Sequence, residues 1–80
     1  MDSLELVIKG ESYKVIRDKA RRDMYSVFNH VMCHTIKKKE NGEWEAVEHR
    51  FGTEYLPLNE IGYELDKHYY QKFRLKFMDN

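Results

Sequence analysis

A single cysteine, Cys33, leaves no partner for an internal disulfide and too few thiols for a Cys-rich zinc site. A single proline, Pro57, and four glycines leave little of the chain to low-complexity linker. No apolar run approaches the roughly 20 residues that cross a bilayer. The opening Met1-Asp2-Ser3-Leu4 lacks the basic and apolar regions of a secretory leader. Charge of one sign is also missing: 14 Lys and Arg balance 14 Asp and Glu. The molecule as a whole therefore does not attract polyanions, although patches still could. These absences describe one small domain, 1–80, expected to be cytoplasmic, with no membrane association and no cofactor or metal.

Aromatics are plentiful, with six Tyr, four Phe and one Trp. They supply burial to a core that 80 residues can only just build. The clearest local signal is Asn41-Gly42, which reads as a two-residue hairpin turn with both residues at positive φ. That turn sets Lys38 opposite Glu45, Ile36 opposite Val47, His34 opposite His49 and Met32 opposite Phe51. Met32, His34, Ile36, Val47, His49 and Phe51 then share one face. Cys33, Thr35, Lys37, Lys39, Trp44 and Arg50 share the other.

Leu4, Leu6 and Ile8 alternate as a half-buried strand, and Gly10-Glu11 marks a turn. Ser12–Ile16 reads as a strand returning on the first, because a loop from Gly10 to Arg17 would be long for a strand-to-helix link. Asp18 can cap a helix, and Ala20, Met24, Val27, Phe28 and Val31 fall at helical spacing, which predicts a helix over Asp18–His30. Asn59 reads as the cap of a second helix carrying Ile61, Leu65 and Tyr69 as its apolar stripe. Gly62 weakens that helix by about 1 kcal/mol unless something packs closely there. Phe73, Leu75 and Phe77 alternate with Lys72, Arg74 and Lys76 as a final strand.

The fold class expected is α+β: a mainly antiparallel sheet of four or five strands with two helices on one face. The order is ferredoxin-like βαββαβ or a ββαββαβ relative. The uncovered face of such a sheet would gather Lys37, Lys39, Trp44, Arg50, Lys72, Arg74 and Lys76. Cations with an aromatic can meet phosphates and stack on bases. Arg17, Arg21 and Arg22 form a second basic patch at the start of the first expected helix.

No Gly-rich phosphate loop, nucleophile elbow, H-E-x-x-H or paired-carboxylate pattern occurs. A small metal-independent nuclease built from scattered His, Lys and Tyr needs no motif and stays the least favoured reading. The expected function is non-enzymatic. The chain reads as a small accessory or inhibitor protein of the phage or mobile-element type, binding a partner protein such as a host nuclease or toxin. Tyr, Trp, Met and Arg are the residues such interfaces favour. The alternative is a module for RNA or single-stranded nucleic acid, working through the basic sheet face.

Overall fold

The computed structural model describes residues 3–70. Five strands follow one another: β1 (Ser3–Ile8), β2 (Glu11–Arg17), β3 (Met24–Phe28), β4 (Met32–Lys38) and β5 (Trp44–Gly52). Each pairs antiparallel with the next, so the sheet is a meander in the order β1-β2-β3-β4-β5. Helix α1 (Leu58–Leu65) follows, and Asp66–Tyr70 continues it as a π-helical turn. The α+β class and antiparallel sheet agree with the sequence reading, but the described chain has one continuous helical segment where two helices were expected. No helix separates β1 to β4, so the ferredoxin-like order and its relative are both replaced by the meander. The expected strand with Phe73, Leu75 and Phe77 lies outside the described residues.

The missing helix is a turn and a strand. Asp18 caps, but it caps a tight loop: its Oδ1 accepts from the N–H groups of Ala20 and Arg21, both at 2.8 Å. The loop closes where the Asp18 N–H donates to the Met24 carbonyl at 2.9 Å. Met24–Phe28 then alternates, with Tyr25 and Val27 inward. Tyr, Val and Phe suit a pleated, half-buried surface better than a helix. Asn29 ends the strand, accepting the Val31 N–H at 2.9 Å.

The tight two-residue turn belongs to β1 and β2. Ile8 faces Glu11, and Lys9 (φ 52) and Gly10 (φ 83) occupy the turn. At the other hairpin only Gly42 has positive φ. Its N–H donates to the Lys39 carbonyl at 2.9 Å, and Lys39 donates to Glu43 at 2.7 Å. The loop is therefore three residues, Glu40-Asn41-Gly42, with glycine in the left-handed position. Asn41 serves through its side chain, accepting the Glu43 N–H at 3.0 Å.

That extra residue moves the register near the tip: Lys38 faces Trp44, Lys37 faces Glu45 and Ile36 faces Ala46. Val47 is bulged out, which restores the expected pairs Thr35 with Glu48 and His34 with His49. Arg50 is bulged out next, so Cys33 faces Phe51 and Met32 faces Gly52. A shift of one reverses the side on which a residue lies. Trp44 therefore moves to the covered face and Phe51 to the bare one, opposite to the sequence reading.

The core lies between the sheet and α1. Val15, Tyr25, Val27, Met32 and Ile36 meet Ile61 and Leu65, all at most 2 % exposed. Leu58 and Tyr69 pack around them. The helix begins after Pro57 with no side-chain cap, so the expected Asn59 cap is absent. Gly62 has the close neighbour its helix cost implied: a Cβ there would lie 2.4 Å from Cδ1 of Trp44.

Candidate partner-binding face

The pairings assign every strand side chain to one of two faces. Opposite residues in an antiparallel pair point the same way. One row across the bare face runs Glu5, Lys14, Phe28, Cys33 and Phe51. The next runs Ser3, Ile16, Ser26, Thr35 and Glu48, and a third holds Met24, Lys37 and Glu45. Val7 and Ser12 complete the face beside the first turn. No described helix covers this side. Val7, Ile16 and Phe51 are exposed, while Met24, Phe28 and Cys33 are half-buried among them.

The apolar residues of this face thus form a small strip, Phe28, Cys33 and Phe51 with Ile16 beside it, and the surrounding charges are mixed. Lys14 and Lys37 stand against Glu5, Glu45 and Glu48. A hollow of about 270 Å³ near its edge is lined by Asp18, Arg21, Met24, Ser26, Thr35, Glu48 and Arg50 among others. Arg50 Nη1 lies 3.8 Å from Glu48 Oε1. Among the described residues the face is mixed in charge.

The expected site residues scatter accordingly. Lys37 is on the bare face, and Arg21 and Arg50 border its hollow. Lys39 stands at the hairpin tip, 3.7 Å from Glu43. Trp44 is beneath the helix, so it offers no stacking platform beside these cations. Lys72, Arg74 and Lys76 lie outside the described residues. Arg17 does not join an exposed patch with Arg21 and Arg22. Its Nε donates to the Arg22 carbonyl at 2.7 Å, and its guanidinium sits 4.8 Å from the Tyr69 ring centre.

Arg17 belongs instead to a cluster that fastens the helix end to the sheet. Tyr25 meets Trp44 edge-on at 5.3 Å and Tyr69 at 5.5 Å. The hydroxyls of Tyr25 and Tyr70 hydrogen-bond at 2.9 Å. Burial first, then that bond, pushes the Tyr25 hydroxyl well above its ordinary value. Asp66 Oδ1 accepts from Lys38 Nζ at 2.6 Å and from Trp44 Nε1–H at 3.2 Å. Lys38 also sits 5.1 Å from the ring centres of both Trp44 and Tyr70. These cations are engaged with rings and a carboxylate of the same chain.

His34 and His49 stack at 4.6 Å, as their cross-strand pairing implied. His34 Nε2 lies 3.0 Å from the Thr53 carbonyl and His49 Nε2 lies 2.9 Å from the Gly52 carbonyl. A carbonyl only accepts, so each ring carries a proton at Nε2 and acts as a tether. The pair holds the chain where it leaves the sheet. Gly52 (φ 82) makes that exit, and a Cβ there would overlap the Val31 carbonyl. A groove of about 420 Å³ beside the rings is bordered by Glu48, Glu54, Leu56 and Leu58 among others. Among the described residues no group of three or more His, Cys, Asp or Glu could hold a metal ion.

Ile16, Met24, Phe28 and Phe51 are the bare-face residues that the sequence reading missed as site candidates. A signal existed for two of them: Met24, Ser26 and Phe28 alternate with Tyr25 and Val27. Among the described residues no helix is long and apolar enough to cross a membrane. The chain matches no family model, no curated protein and no solved structure with which it was compared.

Proposed function

We propose that the chain is a non-enzymatic binding module that docks another protein on the bare face of its sheet. The observation that supports this reading is an apolar strip, Phe28, Cys33 and Phe51 with Ile16 in the next row, bordered by charges of both signs. Protein interfaces have that anatomy. Phosphate binding calls for clustered cations, and here Lys14 and Lys37 are matched by Glu5, Glu45 and Glu48.

The occupant on this reading is a different protein. Place two copies face to face with a two-fold axis along β3, and Glu5 meets Phe51 while Lys14 meets Cys33. Turn the axis across the strands at Ser26, and Glu45 meets Phe51 while Lys37 meets Cys33. Either arrangement sets a charge against the apolar strip, so the face does not complement itself. A partner with an apolar patch and its own mixed rim does. The role that suits such a module is accessory or inhibitory, altering the activity of the protein it covers.

The test is photo-crosslinking from position 51 in nuclease-treated native lysate, with position 63 on the helix as the control site. One protein crosslinked from 51 and not from 63, and lost when Ile16→Lys is added, is the expected result. A crosslink that disappears with nuclease overturns the reading in favour of nucleic acid. Equal crosslinking from both positions also overturns it.

A further inference from the structure

Among the described residues the two edges of the sheet are built differently. β5 carries two bulges, at Val47 and Arg50, and Glu45, Glu48 and Arg50 along its length. Bulges and charges are how sheets discourage unwanted strands. β1 carries neither bulge nor proline, and its pairing with β2 is unbroken from Ser3 to Ile8. Its sequence, Ser3-Leu4-Glu5-Leu6-Val7-Ile8, holds one charge.

The turn decides which of its backbone groups face outward. In a two-residue hairpin the closing pair, Ile8 and Glu11, exchanges both hydrogen bonds. Leu6 and Leu4 then also bond to β2, and Ser3, Glu5 and Val7 present their N–H and C=O groups at the edge. Beside them a groove of about 470 Å³ runs between β1 and α1, bordered by Val7, Ile8, Asn59, Glu60 and Tyr63. Val7 is 70 % and Tyr63 is 63 % exposed.

We infer that β1 pairs with β1 of a second copy, antiparallel about a two-fold axis at Leu6, joining two sheets into one of ten strands. Overlap and charge select the register: axes at Leu4 or Val7 would pair only residues 3–5 or 6–8 of the strand. Opposed side chains must lie on the same face, which leaves axes centred on a residue. An axis at Glu5 would set two glutamates directly opposite each other, which is unfavourable. The axis at Leu6 sets Leu6 against Leu6, Leu4 against Ile8 and Glu5 against Val7. It brings no like charges together and places the outward groups of Glu5 and Val7 as hydrogen-bonding partners. The covered-side leucines of the two copies then extend one core into the other.

The register makes a charge-sensitive test. The full chain should sediment as a dimer at high micromolar concentration, and protection of the Glu5 and Val7 amides from hydrogen exchange should rise with concentration. Val7→Glu sets two glutamate pairs across the axis and should weaken the dimer roughly tenfold. Val7→Lys sets the new lysine against Glu5 and should keep it. Glu5→Lys combined with Val7→Glu should restore what Val7→Glu loses. A monomeric wild-type chain overturns the inference. So does an equal loss from Val7→Glu and Val7→Lys, or exchange at these two amides that ignores concentration. The crosslink from position 51 reads a different surface, and a crosslink from position 63 to a second copy of this chain counts toward the dimer alone, so either proposal can fail alone.

Discussion

Both faces of the sheet carry aliphatic and aromatic residues and put them to opposite use. Under α1, Val15, Tyr25, Val27 and Ile36 are at most 1 % exposed, and the Tyr25 hydroxyl, the Lys38 ammonium and the Trp44 indole N–H find partners within the chain. On the other side Ile16, Phe28 and Phe51 spread across β2, β3 and β5 with no described element over them. The difference is one of coverage and of composition, since Lys14, Lys37, Glu5, Glu45 and Glu48 all lie on the bare side. It teaches that stability resides on one side of the sheet, which leaves the other free to serve recognition.

The largest effect should come from breaking the covered side. Ile61→Ala removes a fully buried branch from the helix and should cost about 2–5 kcal/mol in urea unfolding. Gly62→Ala should destabilise by about 1–3 kcal/mol even though alanine favours a helix, because its methyl meets the Trp44 indole. A smaller residue at 44 should relieve that cost, and the double variant measures the coupling. Trp44→Phe should cost about 1 kcal/mol for the lost bond to Asp66. On the bare side, Ile16→Ser and Phe28→Ser should each leave stability within about 1 kcal/mol while removing the protein crosslinked from position 51.

Acidity sharpens the same contrast. The Tyr25 hydroxyl sits on the covered side and is raised above its ordinary 10.0 by burial. Its native form holds the proton more tightly than the unfolded chain. Its contribution is therefore complete below pH 10 and erodes as pH rises further and the unfolded chain ionises. Tyr25→Phe should flatten that alkaline slope. Asp18 behaves in the opposite sense. Backbone donors from Arg21 and then Ala20 hold its carboxyl below the ordinary 3.8. Its contribution is present above that value and is lost as pH falls through the lower native one. Asp18 is fully exposed, so this should be the smallest of the effects, visible as a loss of acid dependence in Asp18→Asn.

Much of this fold was legible. β1, its return strand β2, the middle of the β4–β5 pairing and the helix with Ile61 and Leu65 all follow from spacing. The failures share one physical cause. Asn41-Gly42 marked a turn but not its length, and a loop of three residues in place of two carried Trp44 to the covered side. The bulge at Arg50 did the same to Phe51 in the opposite direction. Pattern alone cannot place a bulge, because the extra residue depends on the partner strand. At Asp18–His30 the apolar residues satisfy helical and strand periods at once. Tyr25, off the helical stripe and yet buried, is the residue that separates them. The candidate face was thus inverted at two positions, Trp44 and Phe51, while Lys37 kept its place on it.

The meander order also says something about how the chain reaches this state. Each strand waits only for its immediate predecessor, so the sheet forms from contacts close in sequence, and topology of that kind favours rapid folding. The helix is different, since it rests on β1 and β5, the first and last of the described strands to be made. During synthesis the sheet can be complete while both of its sides are still wet. For that interval Val27 and Ile36 are as available to strangers as Phe51 remains afterwards, and the arrival of Ile61 decides which side is closed.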